Sequence, residues 1–485
     1  MSGFDAATAA VEAALGAGAR HVDARAMFRQ AESMAARNGD VEDLTSAEDE
    51  GIGVRALVGA SWGFFALPEL GESAAREAGR RAVEIAQAST RVAGPADLTL
   101  AAVPARQDSW SSPCVIDPLS VPLADKGDLL VLVTQTMKDE GADVAEASYD
   151  IWDTRKWLVS SEGHRIEQHM RECGAQMAAT AIGDGETQTR SYPNSFGDYG
   201  SQGWELVQSY DLPGNAARIA HEARELLTAP QCPEGVTTLI LDGDQVSLQI
   251  HESVGHAIEL DRILGWEAAF AGTSWLDLSK LGSLRYGSDL MNITADPTLP
   301  GALGSFGYDD EGTPAECRDI VRDGTWVGVL AGRDSAPLAG LDYGGSVRAE
   351  GWHRLPMVRM TNVGLLPGPH SLDEMIAETP DGILMATNRS WSIDDKRLNF
   401  QFGCEIGWEI KDGQRGRMVR NPTYTGIGPQ FWASMDMVGG GAGADDEWRV
   451  WGLPNCGKGQ PGQVGHTGHH AVPCRFTDVR VGVRG

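Results

Sequence analysis

A short segment near the middle of the chain, residues 228–235 (TAPQCPEG), constrains the fold more than any other feature. Its two prolines and its glycine end the preceding helical pattern and favour a linker, because the residue before a proline disfavours helix. Alanine and leucine are frequent before this segment, whereas glycine, threonine, asparagine and tryptophan become more frequent after it. We therefore predict two domains, residues 1–228 and residues 236–485, which also agrees with the length of the chain.

Residues 1–228 have the pattern of an α+β domain. Alternating small and large residues over 51–66 predict two glycine-punctuated strands, and the β-branched and aromatic runs of 145–207 predict further strands. This combination indicates a sheet covered by helices. Apolar residues three or four apart predict the helices, over residues 6–19, 73–88, 123–138 and 215–228.

Residues 236–485 have the pattern of a mainly antiparallel β domain. A short strand is predicted over 237–242, and one helical stretch begins near Ser247, at the junction of the two domains. The remaining sequence is glycine-punctuated and strand-like, as in a barrel or a sandwich. The glycine-rich acidic insert at 439–446 is predicted to form a mobile surface loop.

The charge balance excludes several classes of partner. The chain has 40 Lys and Arg residues against 68 Asp and Glu residues, so we expect neither nucleic acid nor an anionic membrane as a partner. No apolar run approaches the roughly 18 residues that span a bilayer, and the N-terminus has no signal-peptide pattern. The seven cysteines form no Cys-x-x-Cys pair, which favours a reducing compartment. We therefore predict a soluble, cytoplasmic protein.

The strongest chemical signal is the segment HESVGH at residues 251–256. Two imidazoles beside a carboxylate are what a hydrolytic zinc site needs, since neutral imidazoles bind the ion and the carboxylate accepts a proton. The spacing is His-Glu-x-x-x-His, and in a regular helix His251 and His256 would point roughly 140° apart. We therefore predict a one-residue bulge of the π type, which Gly255 can accommodate because it has no Cβ.

A zinc site also needs a third protein ligand, and several residues are candidates. Cys456 lies in a glycine-flanked loop, where its thiolate can approach a metal, and His469 is an equal candidate by composition. The residues alone leave this choice open. The other candidates are Glu259, Asp261, Cys474, His466 and His470.

Four ordered motifs carry a resemblance to a known family. They are HESVGH at 251–256, GSFGYDDEGTP at 304–314, PMVRMTN at 356–362 and CGKGQP at 456–461, together with GIGVR at 51–55 in the N-terminal half. The chain resembles the TldD/PmbA family of zinc metallopeptidases, and specifically its metal-bearing TldD-type subunit. Two departures from the family pattern are visible. Residues 343–353 hold fewer cations than the arginine-rich stretch that precedes the third motif in the family, and the insert at 439–446 is longer and more acidic than the family pattern leads us to expect.

The resemblance implies one zinc ion per chain, held by His251, His256 and Cys456, with Glu252 as the general base. It implies a mainly β C-terminal domain packed behind the metal helix. It also implies a dimer that encloses the active site, formed by two copies of this chain or with a paralogue that lacks the metal motif. Members of the family cleave unstructured or extended peptides, including leader regions, so we expect an unfolded peptide as the substrate.

Six further residues receive hypothetical roles in the site. Guanidinium, amide and imidazole groups suit peptide carboxylates and main chain, and carboxylates suit the outer nitrogen of a ligand imidazole. The alternatives are structural, namely a tight turn at 309–314, a braced β-turn, a helix cap and solvent-exposed loop histidines. Substrate contacts are predicted for Arg359, Asn362 and His469, and contacts to the ligand imidazoles for Asp261, Asp309 and Asp310.

The predicted function is zinc-dependent hydrolysis of peptide bonds, in peptide maturation, leader removal or degradation. Three protein ligands leave a fourth position for water, whose proton Glu252 accepts before the hydroxide attacks a peptide carbonyl. The alternative is a non-catalytic, metal-stabilised scaffold or binding subunit of a hetero-oligomeric protease, which has no need for Glu252. A cysteine peptidase that uses Cys456 and His469 is weaker, because no third, orienting residue is marked.

Overall fold

One sheet of long strands organises the first half of the chain. The computed structural model describes residues 2–93, 98–183, 185–270, 272–444 and 447–482. In chain order, this half contains α1 (Gly3–Gly16), β1 (His21–Arg37), β2 (Asp40–Val58), β3 (Ser61–Leu67), α2 (Glu72–Ala93), β4 (Gln107–Ser111), α3 (Leu123–Asp139), β5 (Val144–Ser160), β6 (Arg165–Gly183), β7 (Glu186–Tyr192), β8 (Asp198–Gly200), α4 (Glu205–Ser209) and α5 (Leu212–Thr228).

The strands of this sheet lie in the order β3-β2-β1-β5-β6-β4, and β7 and β8 also pair with β6. The helices pack closely because the contact positions are small. A side chain at Gly79 of α2 would meet the backbone oxygen of Ala10 in α1 at 2.3 Å. The four predicted helices correspond to α1, α2, α3 and α5. None of the described helices is both long and apolar enough to cross a lipid bilayer.

The second half contains many short strands and one closed barrel. Its elements are β9 (Gly235–Leu241), α6 (Gly243–Ile250), α7 (Leu260–Ile263), β10 (Ile293–Ala295), β11 (Arg318–Arg322), β12 (Thr325–Trp326), β13 (Val347–Arg348), β14 (Met357–Val358), β15 (Val363–Leu365), α8 (Leu372–Ala377), β16 (Asp381–Ile393), β17 (Asn399–Lys411), β18 (Gln414–Val419), β19 (Thr423–Ile427), α9 (Gly428–Ala433), β20 (Met435–Val438), β21 (Arg449–Lys458), β22 (Gln463–Ala471) and β23 (Cys474–Val481).

The barrel follows the order β16-β9-β23-β19-β17 and closes because β17 pairs back onto β16. Helix α6 follows β9 directly, and every residue of this helix is buried. Val246 and Ile250 of α6 belong to the large apolar core that the barrel strands share. The α+β class and the mainly antiparallel, barrel-like second half are therefore confirmed.

Buried ion pairs join the two halves at the acidic turn 309–312. Asp310 accepts a hydrogen bond from Arg25 of β1 at 2.9 Å, and it also binds Lys156 of β5. Glu311 accepts a hydrogen bond from Arg55 of β2 at 2.8 Å. Buried carboxylates are stable only when they are paired, so these contacts fix the turn against the N-terminal sheet.

Backbone hydrogen bonds attach part of the glycine-rich insert at 439–446, which is predicted to be a mobile surface loop, to a neighbouring segment. The N–H of Gly368 donates to the carbonyl of Gly439 at 2.7 Å, and the N–H of Gly441 donates to the carbonyl of His370 at 2.8 Å. Residues 439–444 are therefore held against a neighbouring segment, because glycines allow the two backbones to approach closely. Asp445 and Asp446 lie outside the described residues.

Candidate metal centre

A wide turn at the end of α6 brings the two motif histidines together. The helix begins at the N-cap Asp242 and becomes π-helical over His251–Gly255, where the N–H of His256 donates to the carbonyl of His251 at 3.2 Å. The imidazole centroids of His251 and His256 are consequently 4.9 Å apart. The predicted π bulge is confirmed. Residue 255 is a glycine because the side chain of Met360 packs directly against its backbone: a Cβ at Gly255 would lie 2.1 Å from the sulfur of Met360.

Cys456 of β21 completes a cluster of three possible metal ligands. One donor atom from each of His251, His256 and Cys456 lies within 4.8 Å of the other two. The sulfur of Cys456 is 3.6 Å from Nε2 of His256. Two imidazoles and one thiolate form a donor set that suits zinc.

Neighbouring groups fix the orientation of both imidazoles. Nδ1 of His469 donates to the carbonyl of Val363 at 2.7 Å, because the carbonyl can only accept. Nε2 of His469 must then accept the proton on Nδ1 of His251, across 2.8 Å. His251 is therefore neutral with a free lone pair on Nε2. His256 reaches the same state, since its Nδ1 donates to Glu259 at 2.9 Å.

The electrostatic environment favours the protonation states that a metal requires. Burial lowers the pKa of His251 and holds the pKa of His256 well below the usual histidine range. Burial alone would raise the pKa of the Cys456 thiol, but His256 and then Arg359 more than offset this and lower it. Neutral imidazoles and an acidified thiol are ready to bind a cation, so the residues fit a zinc ion.

Glu252 lies beside the cluster and forms an ion pair that the sequence did not indicate. Its carboxylate accepts a short hydrogen bond from Nη1 of Arg397, in the turn between β16 and β17. Glu252 is 6% exposed, while His251, His256 and Cys456 are 3–4% exposed. The cluster therefore opens to solvent only narrowly, and Arg397 fixes the carboxylate at its edge.

Glu259, and not Asp261 as predicted, contacts a ligand imidazole. Asp261 does not contact a ligand imidazole; both of its oxygens accept hydrogen bonds from Lys458 at 2.8 Å. Glu259 contacts His256 instead and lies 3.3 Å from the same lysine. Glu259 was a ligand candidate by sequence, and its position three residues after His256 is the signal for a contact across one helical turn.

The predicted substrate contacts of Arg359 and Asn362 are taken up inside the protein. Arg359 is buried and donates to the backbone carbonyls of Cys456 and Gln463, so it braces the hairpin that carries the thiol. Asn362 is buried as well; its side chain accepts from the N–H of Gly304 at 2.9 Å and donates to Ser305 at 2.8 Å. Both residues therefore stabilise the local structure, which was the alternative to substrate binding.

Asp309 and Asp310 do not bind the ligand imidazoles either. Asp309 accepts hydrogen bonds from the backbone N–H groups of Glu311, Thr313 and Val347, as expected of a carboxylate that stabilises a tight turn. Asp310 forms the ion pairs across the two halves described above. The acidic motif therefore builds a turn and a junction.

The loop histidines are not solvent-exposed bystanders. His469 and His470 are buried in β22, and His469 contacts His251 rather than the solvent side of the site. His470 lies 3.1 Å from the hydroxyl of Thr294. Glycines obscure the alternation of buried and exposed side chains along β22, so the sequence does not predict the burial of His469 and His470.

Comparisons with known proteins identify the family. Models of the PmbA/TldA metallopeptidase family match residues 22–86 (domain 1), 116–229 (central domain) and 234–464 (C-terminal domain). A metalloprotease of Methanocaldococcus jannaschii is 28% identical over 407 residues, 84% of this chain and 86% of the relative. A metalloprotease TldD homolog of Haemophilus influenzae is 26% identical over 92% of this chain and 90% of the relative.

Solved structures share the fold across the whole chain. A protein of Thermotoga maritima matches with a TM-score of 0.78 and 17% identity, covering 98% of this chain and 99% of its own. TldE from Thermococcus kodakarensis matches with a TM-score of 0.72 and 13% identity, covering 98% and 99%. Together with the family models and the relatives, these likenesses establish that the chain belongs to the PmbA/TldD family of metallopeptidases.

Proposed function

We propose that this chain is a zinc-dependent peptidase that hydrolyses unstructured or extended peptides. The observation that carries the proposal is the convergence of His251, His256 and Cys456, with each imidazole oriented so that Nε2 is free. A relative from Saccharolobus solfataricus, 25% identical over 40% of this chain and 41% of its own length, is named a zinc metalloprotease TldD homolog. That name supports zinc as the metal.

Each residue of the centre has a distinct task in this proposal. A zinc ion held by the three donors supplies a Lewis acid and lowers the pKa of water towards neutrality. Glu252 accepts a proton at its free carboxylate oxygen and later returns it to the leaving amine. Arg397 holds the other oxygen of Glu252, which orients the carboxylate. His469 and Glu259 keep the imidazoles neutral and aligned.

The main alternative is a scaffold in which zinc is only structural. Structural zinc sites are usually closed by four protein ligands, whereas three donor atoms converge here among the described residues. A carboxylate with a dedicated arginine partner beside the donors also has no function in a structural site. These two observations favour catalysis.

The narrow opening supports an unfolded peptide as the substrate, because a folded chain cannot reach donors that are 3–4% exposed. We also propose a cytoplasmic location, which the seven free cysteines favour. A second subunit, identical or metal-free, would cover the exposed side chains of Trp266 and Phe270, which follow the metal helix. Light scattering of the purified protein, alone and mixed with a metal-free paralogue, tests this subunit: a monomer in both samples would contradict it.

Metal content and peptide cleavage test the function together. We expect about one zinc per chain by mass spectrometry in the wild type, and chelator-sensitive cleavage of an unstructured peptide. Cys456→Ala should lose both. Zinc without cleavage by the wild type, also after addition of a metal-free paralogue, would favour the scaffold, and absence of any bound metal would overturn the proposal.

A further inference from the structure

A cavity of about 240 Å³ lies between the N-terminal sheet and the hairpin that carries Cys456. Strands β1, β5 and β6 form one wall, and the segments around Arg348 and Gly465 form the other. Gly465 pairs with Cys456 in the β21–β22 ladder, so the cavity and the metal ligands share this hairpin. Its volume is below that of a typical drug-sized pocket and suits the end of a peptide or one side chain.

Three arginines line this cavity without a carboxylate partner. Arg29 donates to the hydroxyl of Thr154 at 2.9 Å and to the carbonyl of Glu350 at 2.9 Å. Arg348 donates to the carbonyls of Met360 and His466, and Arg359 to two carbonyls of the hairpin. None of the three forms a direct ion pair with a carboxylate in the described part of the chain. Elsewhere in the junction, Arg25 and Arg55 do form such pairs.

The other charged groups of the cavity compensate these arginines only in part. Glu172 and Asp310 favour the charged form of Arg348, but burial and Arg359 outweigh them. Lys156 is bound to Asp310, outside the lining. Glu172 accepts a hydrogen bond from His466 at 3.1 Å, and the carboxylate of Glu350 accepts one from the N–H of Val464 at 2.9 Å. Apart from the paired Lys156, three arginines and two carboxylates thus line the cavity of a chain whose net charge is −28.

The excess of positive charge in the cavity destabilises the guanidiniums that have no ion-pair partner among the described residues. The Nε atoms of Arg348 and Arg359 are buried and have no hydrogen-bond partner among the residues that the structure describes. Burial, and then the proximity of Arg359, lowers the pKa of Arg348 to about 10. An anion between these guanidiniums would remove both penalties, because a buried charge is stable only when it is paired.

Apolar side chains complete the wall. Trp152 packs against His466 with ring centroids 4.7 Å apart, and Met27, Met170 and Val464 line the cavity beside them. This arrangement of a few convergent cations on an apolar wall is typical of a site for an organic anion rather than for a bare ion. The planar forks of arginine match the geometry of a carboxylate.

We propose that this cavity binds a carboxylate group of the peptide substrate and thereby positions the chain next to the metal centre. The inference rests on the proposed peptidase function and defines its substrate class: peptides with a terminal carboxylate, or with an acidic side chain, close to the bond that is cleaved. Arg29 and Arg348 bind the carboxylate, while Arg359 also holds the carbonyl of Cys456.

Calorimetry with three acetylated peptides tests this site on the full-length Glu252→Gln protein, which cannot turn them over. The first peptide, acetyl-Ala-Ala-Leu, has a free C-terminal acid; the second is its amide; the third, acetyl-Ala-Glu-Ala amide, has an internal carboxylate only. We expect the free acid to bind at least about tenfold more tightly than its amide. Tighter binding of the third peptide than of the amide identifies the side-chain carboxylate as the ligand.

Arginine variants assign the effect to the cavity. In Arg29→Gln and in Arg348→Gln, the affinity for the carboxylate peptide should fall to that for the amide, while the affinity for the amide stays unchanged. Arg417→Gln, which removes an exposed arginine of β18, is the matched control. Arg29 and Arg348 are both half-buried, so we expect both variants to fold, and circular dichroism checks this for each of them.

The outcomes separate this proposal from the proposed function. If the wild type cleaves acid and amide peptides with the same kcat/KM and the calorimetric affinities are also equal, the cavity proposal is wrong while the peptidase remains. If no peptide is cleaved and no zinc is bound, the peptidase proposal fails, and calorimetry alone decides whether the cavity binds carboxylates.

Discussion

The metal-ligand cluster and the arginine cavity both use the β21–β22 hairpin, through Cys456 and Gly465, but they suit ligands of opposite charge: the cluster suits a cation and the cavity suits an anion. At His251 and His256, the outer nitrogen of each imidazole is hydrogen-bonded, and the inner donor atoms of both converge with the sulfur of Cys456. At Arg348 and Arg359, carbonyls hold the guanidiniums, and no carboxylate of the described residues forms an ion pair with them. In both places other groups of the protein hold the side chains in position, namely His469 and Glu259 at the imidazoles and backbone carbonyls at the guanidiniums, so the main charged interaction is left for an incoming ion or substrate.

The largest effect should come from Glu252→Gln, which tests whether the cluster is more than a cation site. We expect kcat to fall about 10²–10⁴-fold because the proton acceptor is lost, while zinc content stays at the wild-type level. Steady-state kinetics with metal analysis on the same preparation measures both. Unchanged kcat would show that the cluster has no catalytic carboxylate.

A second variant pair tests the contrast between paired and unpaired arginines. Burial alone would raise the pKa of Asp23, but Arg55 and His21 more than offset this and lower it to about 2. Arg55→Met should therefore destabilise the protein by about 3–5 kcal/mol, since it leaves buried carboxylates unpaired. Arg348→Met should cost less than about 2 kcal/mol, because the hydrogen bonds of Arg348 go to carbonyls and it forms no ion pair in the described part of the chain.

Urea denaturation followed by circular dichroism compares the two variants with the wild type. Equal losses of stability for Arg55→Met and Arg348→Met would remove the distinction between structural arginines and arginines that await a ligand.

The orientation of the imidazoles can be tested through His469. His469→Ala should weaken zinc binding about 10–100-fold, because Nδ1 of His251 loses the group that fixes its tautomer. His469→Gln, which still offers an acceptor oxygen, should restore part of this affinity. Competition with a chromophoric chelator measures the dissociation constant.

His470→Ala is the control for this variant, since His470 is the next residue of β22 and is buried, but bonds to Thr294. If both alanine variants bind zinc equally weakly, the effect belongs to the packing of the strand and not to the tautomer.

The smallest effect concerns Arg397, which holds Glu252 from the β16–β17 turn. Arg397→Ala should lower kcat about tenfold with unchanged zinc content, because the carboxylate is no longer oriented. Lys396→Ala, in the same turn and exposed, should leave kcat unchanged. A rise in kcat in Arg397→Ala would instead mean that the ion pair restrains the base.

Local spacing made the centre of the metal site predictable. The five-residue separation of His251 and His256 requires a wide turn if both bind one ion, and that geometry follows from helix dimensions alone. Cys456 lies about two hundred residues away, so it was one of several candidates until the family resemblance distinguished it. The helices were predictable because their apolar periodicity is local.

The contacts between distant strands were not predictable in this way. Arg29, Arg348 and Arg359 belong to three separate segments, and only the packing of the two sheets brings them to one cavity. Arg397 lies in a hairpin turn whose sequence is typical of a solvated turn. The chemistry of Asp261, Asp309 and Arg359 suits the site, which is why the sequence predicts them there. In the structure, Asp261 instead binds a lysine, Asp309 stabilises a turn, and Arg359 binds backbone carbonyls.

The wide turn at His251–Gly255 ties two remote aromatic residues to the metal. A π turn interrupts the regular ladder of helical hydrogen bonds, so its polar groups need partners from outside the helix. The hydroxyl of Tyr286 donates to the carbonyl of Ser253 at 2.7 Å, and the indole of Trp432 donates to the hydroxyl of Ser253 at 3.0 Å. Deletion of one residue to give the shorter His-Glu-x-x-His spacing would shift Ser253 away from both partners. Tyr286 and Trp432 therefore constrain how many residues may separate the two histidines in descendants of this sequence.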